Sequence, residues 1–332
     1  RVSVIQLATR PERVLRNGID YRFVAVPGAQ RTRRLVEVLG EIRPDVLHLH
    51  SLGFAADAFA LARHLPQLPI VIQDHADRPP RRWRRPWWRR WYGAAAGIAF
   101  TAADMAQPFT RAGLFAPRTR LFAIPESSSR FMPGERDRAR AETGLHGDPC
   151  VLWVGHLNAG KDPLTVLDGV ARAVQRLPGL QLWCVFGNAP LLDAVRQRIE
   201  HDPRLAGRVH LLGKVAHARI ETLMRAADLF VAGSHAEGCG YALLEALACG
   251  VAPVATDIPA FRALTGDGRV GRLWPCGDAA QLAEALVDVA ANRPSPAQVR
   301  AHFDATLSFA ALGRRWADAY AQVLDDRQWR GG

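Results

Sequence analysis

The sequence predicts an α/β protein with two domains, each built around a parallel β-sheet. Its 332 residues exceed the size at which a single hydrophobic core usually keeps growing. Short segments rich in Val, Ile and Leu alternate with amphipathic segments along most of the chain, which is the pattern of βαβ units. Residues 126–148 interrupt this alternation with clustered Ser, Pro, Gly and charged residues, and such clusters mark linkers. We therefore expect a domain over 1–130, a linker over 131–148 and a second domain over 149–308.

The first half alternates apolar strands with helices. Strands are predicted at Val2–Leu7, Tyr21–Val26, Asp45–His50, Ile70–Gln73, Gly97–Thr101 and Arg120–Ile124, and helices at Arg33–Ile42, Phe54–Leu65, Trp87–Ala96 and Ala103–Ala112. Strands joined through helices run parallel, so this half predicts a parallel sheet with both faces covered.

The second half repeats the rhythm after a charged helix predicted at Glu135–Thr143. Its strands are predicted at Cys150–Val154, Gln181–Phe186, Val209–Leu212, Leu229–Ala232, Val251–Thr256 and Arg272–Trp274. Its helices are predicted at Pro163–Leu177, Leu191–Glu200, Arg219–Ala227, Tyr241–Ala248, Ala279–Ala291, Pro296–Thr306 and Phe309–Leu324.

Composition narrows the class of protein. The chain is 48% hydrophobic and 23% charged, which is typical of a globular protein, and no apolar run is long enough to span a bilayer. Its five cysteines are widely spaced without a CxxC pair, so buried free thiols in a reducing compartment are expected. The net charge of +11 favours contact with anionic surfaces or phosphorylated ligands.

Residues 81–92 form a basic and aromatic stretch. Trp87 and Trp91 share one side of a predicted helix, and Arg89 and Arg90 flank them. Arginine and tryptophan at a helix start suit an anionic membrane surface, where indoles lie at the headgroup level. The alternative is a surface helix whose tryptophans pack on the sheet while its arginines face water. Nucleic acid is not an expected partner, because nothing else in the chain resembles a nucleic-acid-binding module.

A Gly-rich loop and the helix after it form the most informative segment. A predicted buried strand leads through Glu237-Gly238-Cys239-Gly240 into a helix that begins at Tyr241 and contains Glu245. Glycine lets a backbone approach a ligand closely, and the free N–H groups of a helix start attract anions. Carboxylates accept hydrogen bonds from hydroxyl groups. A ligand with both phosphate and sugar hydroxyls would therefore explain two glutamates beside an anion site.

A second loop of phosphate-binding type follows the first predicted strand of the second half. Gly155 and His156 end this strand, and Lys161 precedes the next helix. The glycine exposes the backbone, the lysine supplies a compact charge, and the helix dipole adds to it. The loop lacks the Gly-Lys-Ser/Thr ending of a Walker loop. Further turns at Gly187 and from Gly213 to Val215 end neighbouring strands, which places four loops at one sheet edge.

Three histidines lie at or just past predicted strand ends in the first half. They are His48, His50 and His75, and ligands of open α/β sheets bind at the carboxyl ends of strands. His75 enters a polar loop, so it is the best candidate for an acceptor-side group. His48 and His50 alternate on one strand and fit buried core histidines equally well.

Together these motifs make residues 149–277 resemble the donor domain of the retaining GT-B glycosyltransferases of family four, the glycosyl transferases group 1. The resemblance implies two Rossmann-like domains facing an interdomain cleft, with a helix over 309–328 that crosses back to the first domain. Lys161 would hold the diphosphate of a nucleotide-sugar donor, Glu237 would contact hydroxyls of the transferred sugar, and Glu245 would bind the ribose. Backbone N–H groups near Cys239 to Tyr241 would cap phosphate and sugar.

The resemblance therefore names two sets of residues. Glu237, Lys161 and His75 are the expected catalytic residues. The expected donor-binding residues are Gly155, His156, Lys161, Gly187, Gly213, Val215, Glu237, Gly238, Cys239, Gly240, Tyr241 and Glu245.

Three features depart from the family's pattern. His156 stands where the family usually has Arg, so one charge on the phosphate would be missing or present only when His156 is protonated. Residues 125–129 read Pro-Glu-Ser-Ser-Ser in place of the family's Pro-Asn-Gly-Val-Asp. The family's N-terminal strand and Gly-rich loop, which help form its acceptor cleft, are not seen, so we expect the sequence to be a fragment that starts inside this domain.

The expected function is retaining transfer of a hexose-type sugar from a nucleoside-diphosphate sugar to a hydroxyl of a glycan or lipid-linked acceptor. The expected location is the cytoplasm, including the inner face of its membrane. No clustered Asp pair indicates a metal site, so no metal or other cofactor is expected. One alternative is a binding or scaffold protein on a degenerate glycosyltransferase fold. Another is an epimerase or phosphorylase, although Lys161 and Lys214 are the only lysines and phosphorylases commonly need a pyridoxal lysine.

Overall fold

The computed structural model describes residues 1–26 and 28–325. The chain divides into two compact units. Of the described residues, the first contains 1–26, 28–99, 106–122 and 318–325, and the second contains 100–105 and 123–317. Each unit is an α/β structure with a parallel sheet, which confirms the predicted fold class.

The first unit contains two sheets. Its strands are β1 (Ser3–Ala8), β2 (Glu12–Arg16), β3 (Ile19–Ala25), β4 (Leu47–His50), β5 (Ile70–Gln73), β6 (Gly97–Phe100) and β7 (Arg120–Ala123), of which the last two end at the unit boundary. Its helices are α1 (Arg31–Ile42), α2 (Ala55–His64), α3 (Arg85–Tyr92) and α4 (Gln107–Arg111). One sheet has the order β1-β3-β2, and the other has the order β4-β5-β6-β7. In the second sheet β5 pairs parallel with both β4 and β6.

The single parallel sheet expected for the first half is therefore wrong in its N-terminal part. Strand β2 was not predicted, and it pairs antiparallel with β3. Asn17 and Gly18 join the two strands, with φ values of 53° and 76°. An Asn-Gly turn with two positive φ angles is the usual connection of a tight hairpin. Every residue of β2 is exposed, so the strand lacks the apolar pattern that marks the others.

Helix α3 ends four residues earlier than the prediction of Trp87–Ala96. It begins at Arg85 and ends at Tyr92, and Gly93 follows as its C-cap. The backbone N–H of Ala96 pairs with the carbonyl of Ile70 at 2.8 Å, because residues 94–96 already lead into strand β6. The apolar spacing beyond Tyr92 belongs to a turn and a buried strand rather than to the helix.

The second unit is built on six parallel strands. They are β8 (Cys150–Val154), β9 (Gln181–Val185), β10 (Val209–Gly213), β11 (Leu229–Ala232), β12 (Ala252–Thr256) and β13 (Arg272–Trp274). The sheet order is β10-β9-β8-β11-β12-β13, and every neighbouring pair is parallel. Its strands are largely buried, as expected for a parallel sheet with both faces covered.

Nine helices accompany this sheet in the described part of the chain. They are α5 (Arg136–Thr143), α6 (Pro163–Ala173), α7 (Leu192–His201), α8 (His217–Ala226), α9 (Tyr241–Ala248), α10 (Pro259–Thr265), α11 (Ala279–Ala291), α12 (Pro296–Thr306) and α13 (Phe309–Asp325). Helix α10 was not predicted. The clearest starts are set by side-chain caps: Asp162 caps α6, Asp278 caps α11, and Ser295 forms a capping box on α12. Helix α13 is divided between the units after Ala317.

Asp228 holds the predicted linker segment to the second unit. Its Oδ2 accepts hydrogen bonds from the Arg140 guanidinium of α5 at 2.7 Å and from the Cys150 backbone N–H at 2.8 Å. Arg136 and Arg293 lie 3.2 and 2.8 Å from its other carboxylate oxygen. Asp228 is buried, and a buried carboxylate needs such partners. The segment expected to be a linker therefore contributes a helix to the second unit.

Candidate functional site

A cavity of about 400 Å³ lies in the second unit. It is lined by the ends of β8 and β11, by the loops that follow them and by the start of α9. The two strands are neighbours, but the chain continues from β8 to β9 on one side and from β11 to β12 on the other. In open α/β sheets ligands bind at such a switch point, beyond the carboxyl ends of the strands. Its place in the topology therefore marks this cavity as the candidate site.

Lys161 and Glu237 meet at this cavity from loops that are far apart in the sequence. Lys161 follows β8 and Glu237 follows β11, and Lys161 Nζ donates a hydrogen bond to Glu237 Oε1. Both side chains are largely shielded from solvent, with exposed fractions of 27% and 15%. The Lys161 backbone N–H donates to the Asn158 side chain at 3.0 Å, which fixes the loop that carries the lysine. The structure thus places a cation and a carboxylate side by side at the switch point.

The start of α9 presents backbone donors to the same cavity. Gly240 is its N-cap with a φ of 85°, and no described side chain caps the helix. The first-turn N–H groups of Tyr241 and Ala242 therefore have no intrahelical acceptor. A Cβ atom at Gly240 would lie 2.6 Å from the Phe261 ring. Only glycine fits this position, and the free N–H groups make it suitable for an anion.

Glu245 lies one turn further along α9 and also lines the cavity. Its Oε1 accepts a hydrogen bond from His217 Nε2 at 2.7 Å, and the His217 ring contacts the ring of Phe131. Burial raises the pKa of Glu245, and the hydrogen bond and charge of His217 partly oppose this shift. His217 was not predicted as a site residue. It begins α8 directly after the predicted turn at Gly213, which was the available signal.

His156 lines the cavity at the position where the family usually has an arginine. Its Nδ1 accepts a hydrogen bond of 3.2 Å from the backbone N–H of Asn188, in the turn that follows β9. This contact fixes the ring at the cavity wall.

The structure brings together part of the predicted donor-binding set. The residues that line the cavity are Gly155, His156, Lys161, Glu237, Gly240, Tyr241 and Glu245. The predicted residues outside the lining are Gly187, Gly213, Val215, Gly238 and Cys239. Gly213 ends β10, the outermost strand on its side of the sheet, and the chain from this turn contributes His217 to the lining. The Cys239 thiol is buried, and burial raises its pKa to about 12.

Residues 125–129, where the sequence departs from the family's pattern, reach the start of α9. Burial, together with the Glu126 carboxylate, raises the pKa of the Tyr241 hydroxyl to about 12. Ser127 also interacts with Tyr241. The residues that depart from the family's usual sequence here are therefore neighbours of the cavity.

The three predicted histidines of the first unit form a cluster with Tyr320. His75 Nε2 lies 3.1 Å from His50 Nδ1, and His48 Nδ1 lies 2.7 Å from the Tyr320 hydroxyl. The rings of His48 and His50 stack with a centroid distance of 4.6 Å. Burial and the neighbouring histidines lower the pKa of His48 to about 3, and burial also lowers the pKa of His50. His48 and His50 are therefore neutral hydrogen-bonding groups at neutral pH.

The two predicted tryptophans of the basic stretch face different surroundings. Trp87 is 56% exposed. Trp91 is half-buried and contacts the ring of Trp88. Arg90 lies over the ring of Phe59 at 5.0 Å, whereas Arg89 is exposed. Trp91 thus packs within its own segment, whereas Trp87, Arg89 and Arg90 are exposed.

Four cysteines are buried free thiols, and Cys276 is exposed. Within residues 1–26 and 28–325, no group of three or more His, Cys, Asp and Glu side chains is placed to hold a metal ion. None of the described helices is long and apolar enough to cross a membrane.

Two family models match most of the chain between them. The model described as Glycosyltransferase Family 4 matches residues 7–126, and the model described as Glycosyl transferases group 1 matches residues 148–292. The second match contains every residue that lines the cavity.

Similar proteins include two mannosyltransferases. Phosphatidyl-myo-inositol mannosyltransferase of Mycobacterium tuberculosis is 38% identical over 267 residues, which cover 75% of this chain and 65% of that protein. GDP-mannose:cellobiosyl-diphosphopolyprenol alpha-mannosyltransferase of Xanthomonas campestris is 26% identical over 342 residues, with coverage of 98% and 85%. The chain thus spans somewhat less than two thirds of the mycobacterial relative.

Solved structures share the fold. HepE of Anabaena in complex with UDP and glucose superposes with a TM-score of 0.71 and 18% identity, covering 92% of this chain and 86% of that chain. A glycosyltransferase from Rickettsia africae superposes with a TM-score of 0.73 and 12% identity, covering 92% and 85%.

Proposed function

Because this chain belongs to glycosyltransferase family four and has the GT-B fold, we propose that it transfers a sugar from a nucleoside-diphosphate sugar. The sugar is of hexose type, and the acceptor is a hydroxyl group of a glycan or a lipid-linked molecule. The anomeric configuration of the sugar is retained. The observation that carries this proposal is the meeting of Lys161 and Glu237 beside the uncapped start of α9.

The donor would bind by exchanging partners with these residues. Its diphosphate takes the Lys161 ammonium group from Glu237 and accepts hydrogen bonds from the free N–H groups of α9. Glu237 is then released to accept hydrogen bonds from the hydroxyls of the sugar, and Glu245 accepts from those of the ribose. The nucleoside diphosphate leaves as negative charge develops on it, so fixed positive groups stabilise the transition state.

Retention follows from attack on the face that the diphosphate leaves. The acids that line the described cavity are Glu237 and Glu245, and both are assigned to hydroxyl groups of the donor. A covalent intermediate is therefore not part of the proposal. His75 orients the acceptor hydroxyl or the transferred sugar. Lys161 and α9 balance the diphosphate charge, so the proposal includes neither a metal ion nor another cofactor, and EDTA should leave transfer unchanged.

The proposal is tested by calorimetric titration with nucleoside diphosphates and by a transfer assay with a panel of sugar donors. GDP-mannose and UDP-glucose come first, because one relative is named for GDP-mannose and one similar structure holds UDP and glucose. NMR of the product reports its anomeric configuration. Failure of the wild type to bind any nucleoside diphosphate would refute the proposal. Unchanged binding in Lys161→Ala and Glu245→Ala would refute the assignment of the site.

A second candidate is a binding protein on the same fold, favoured by His156 in the place of the family's usual arginine. Such a protein would bind the nucleotide without hydrolysing or transferring any sugar. His156→Arg separates the two functions, because it restores the charge usual in the family. Activity that is absent in the wild type and present in this variant would support the binding protein.

We also propose that the α3 surface, residues 81–92, contacts anionic lipid on the inner face of the membrane. Trp83 and Trp87 are 64% and 56% exposed, and Arg82 and Arg89 are exposed beside them. Cationic side chains attract anionic headgroups, while indole rings settle at the interface. The relatives named for phosphatidyl-myo-inositol and diphosphopolyprenol support an acceptor that resides in a membrane.

Vesicle flotation tests the α3 surface. Wild-type protein should float with phosphatidylcholine vesicles that contain phosphatidylglycerol, and much less with phosphatidylcholine alone. Trp83→Ala/Trp87→Ala and Arg82→Ala/Arg89→Ala should both reduce flotation. Arg33→Ala/Arg34→Ala on α1 removes the same charge elsewhere and serves as the control. Equal flotation of all four proteins would assign the stretch to ordinary surface packing.

A further inference from the structure

A second cross-link joins the two loops that carry Lys161 and Glu237. We call residues 158–162 the lysine loop and residues 233–237 the glutamate loop. His235 of the glutamate loop donates a hydrogen bond from Nε2 to Oδ2 of Asp162, the neighbour of Lys161, at 2.8 Å. The two links have opposite polarity. The lysine loop supplies the cation to Glu237 and the carboxylate to His235.

The surroundings of this second link are fixed. The backbone N–H of His235 donates to the carbonyl of Gly160 at 2.9 Å. The other carboxylate oxygen of Asp162 caps α6 through the Thr165 N–H at 3.3 Å. The two loops also touch through their backbones, because a Cβ atom at Gly233 would lie 3.0 Å from the Lys161 carbonyl oxygen. Asp162 is therefore held from α6, and His235 connects this fixed point to the glutamate loop.

The two links respond differently to a bound donor. This step rests on the proposed function, in which the diphosphate takes Lys161 and the sugar takes Glu237. The Lys161–Glu237 pair must then open. Neither Asp162 nor His235 lines the described cavity, so the Asp162–His235 bond does not need to break. The Asp162–His235 bond therefore keeps the two loops aligned while the donor replaces the Lys161–Glu237 contact.

We propose that His235 is a positioning residue for Lys161. It keeps the lysine loop and the glutamate loop aligned when the donor separates Lys161 from Glu237. It also occupies the Asp162 carboxylate, which is the acid next to Lys161 in the chain and would otherwise compete with the diphosphate for the lysine. His235 acts through Lys161 and does not itself contact the donor.

The test is a double-mutant cycle measured by calorimetric titration with the nucleoside diphosphate that the wild type binds best. His235→Ala should weaken binding by about tenfold, the effect expected for a hydrogen bond to a charged group. His235→Gln should restore most of the affinity, because its amide N–H can donate to Asp162. In a Lys161→Ala background, His235→Ala should change the affinity by less than about twofold, since a positioning residue has nothing left to position.

Asp162→Asn provides an independent variant, because asparagine keeps an oxygen to cap α6. Its loss of affinity should be smaller than that of His235→Ala, because the asparagine amide carries no charge that could compete for Lys161, and the double variant should be no weaker than His235→Ala alone. Wild-type affinity in His235→Ala, or a tenfold loss that persists without Lys161, would overturn this role while leaving the proposed function intact. Absence of nucleotide binding in the wild type would overturn both.

Discussion

Glu245 and His217 form a hydrogen-bonded pair at the cavity, with 2.7 Å between Oε1 and Nε2. The glutamate is mostly buried, with 14% of its side chain exposed, whereas the histidine is 71% exposed. The Glu245 carboxylate is therefore buried where its negative charge is unfavourable. The exposed His217 ring offsets part of this cost through its hydrogen bond. A buried acid that is kept for a ligand costs stability before the ligand arrives.

Glu245→Gln should stabilise the ligand-free protein at neutral pH. Burial raises the folded-state pKa of Glu245 above its ordinary value, so proton binding favours the folded state and the ionised form disfavours it. This cost is present at neutral pH and disappears as the pH falls through the raised pKa. Thermal unfolding should show a higher midpoint for the variant at pH 7 and a smaller difference at pH 4. A difference between the two unfolding midpoints that grows as the pH falls would contradict this explanation. The same variant should bind nucleoside diphosphates more weakly.

His217→Ala should raise the pH below which nucleotide binding weakens. His217 lowers the pKa of Glu245 against the effect of burial, so its removal raises this pKa further. The carboxylate then takes up its proton at a higher pH and loses an acceptor for the ribose hydroxyls. Titrations between pH 4 and pH 8 measure the shift. His201 is an exposed histidine of α7 outside the cavity lining, so His201→Ala should leave this pH unchanged. An equal shift in His201→Ala would mean that the loss of net positive charge, rather than the contact with Glu245, causes the effect.

Lys161→Ala should weaken nucleoside-diphosphate binding by roughly ten- to a hundredfold, the range for hydrogen bonds to a charged group. It should also lower the free energy of unfolding, because the largely shielded Glu237 carboxylate, 15% exposed, loses its cation. Arg172→Ala removes the same charge from an exposed site of α6 outside the cavity and should bind normally. Equal losses in both variants would mean that overall charge, rather than Lys161, holds the diphosphate.

The meeting of Lys161 and Glu237 could be expected from the sequence alone. Each follows an apolar strand, and in a parallel sheet the loops after such strands gather at one edge. Short apolar segments that alternate with amphipathic helices are visible in the sequence, and for this reason the strands of the second unit were predicted almost completely. The place of the turn at Gly213 was not evident, because the pattern does not reveal that β10 is an outer strand.

The partners of exposed histidines could not be expected in this way. His217 and His235 lie at a helix start and in a loop, where no periodicity constrains the direction of a side chain. Their hydrogen bonds to Glu245 and Asp162 span 28 and 73 residues, and such pairs depend on how separate loops pack. The end of α3 was missed for a related reason. The alanines after Tyr92 are compatible with a helix, whereas in the structure the Ala96 N–H already pairs with Ile70 of β5.

Gly240→Ala should destabilise the second unit and reduce nucleotide binding. The φ of 85° at this position costs a residue with a Cβ atom about 1–2 kcal/mol. The added Cβ would also lie 2.6 Å from the Phe261 ring, and overpacking of this kind costs about 1–3 kcal/mol. Because Phe261 is buried within α10, the start of α9 should shift and misplace its N–H groups. Urea unfolding and calorimetric titration measure the two effects.

Gly277→Ala is the matched control for this variant. Gly277 has a similar φ of 76°, but an added Cβ would meet no atom within 4 Å. It therefore carries the backbone cost alone, about 1–2 kcal/mol, and should bind nucleotide normally. The difference between the two variants isolates the contact with Phe261. Equal destabilisation and equal affinity in both variants would show that the close approach of Gly240 to Phe261 does not set the position of α9. The placement of the first-turn N–H groups at the cavity would then depend on another contact.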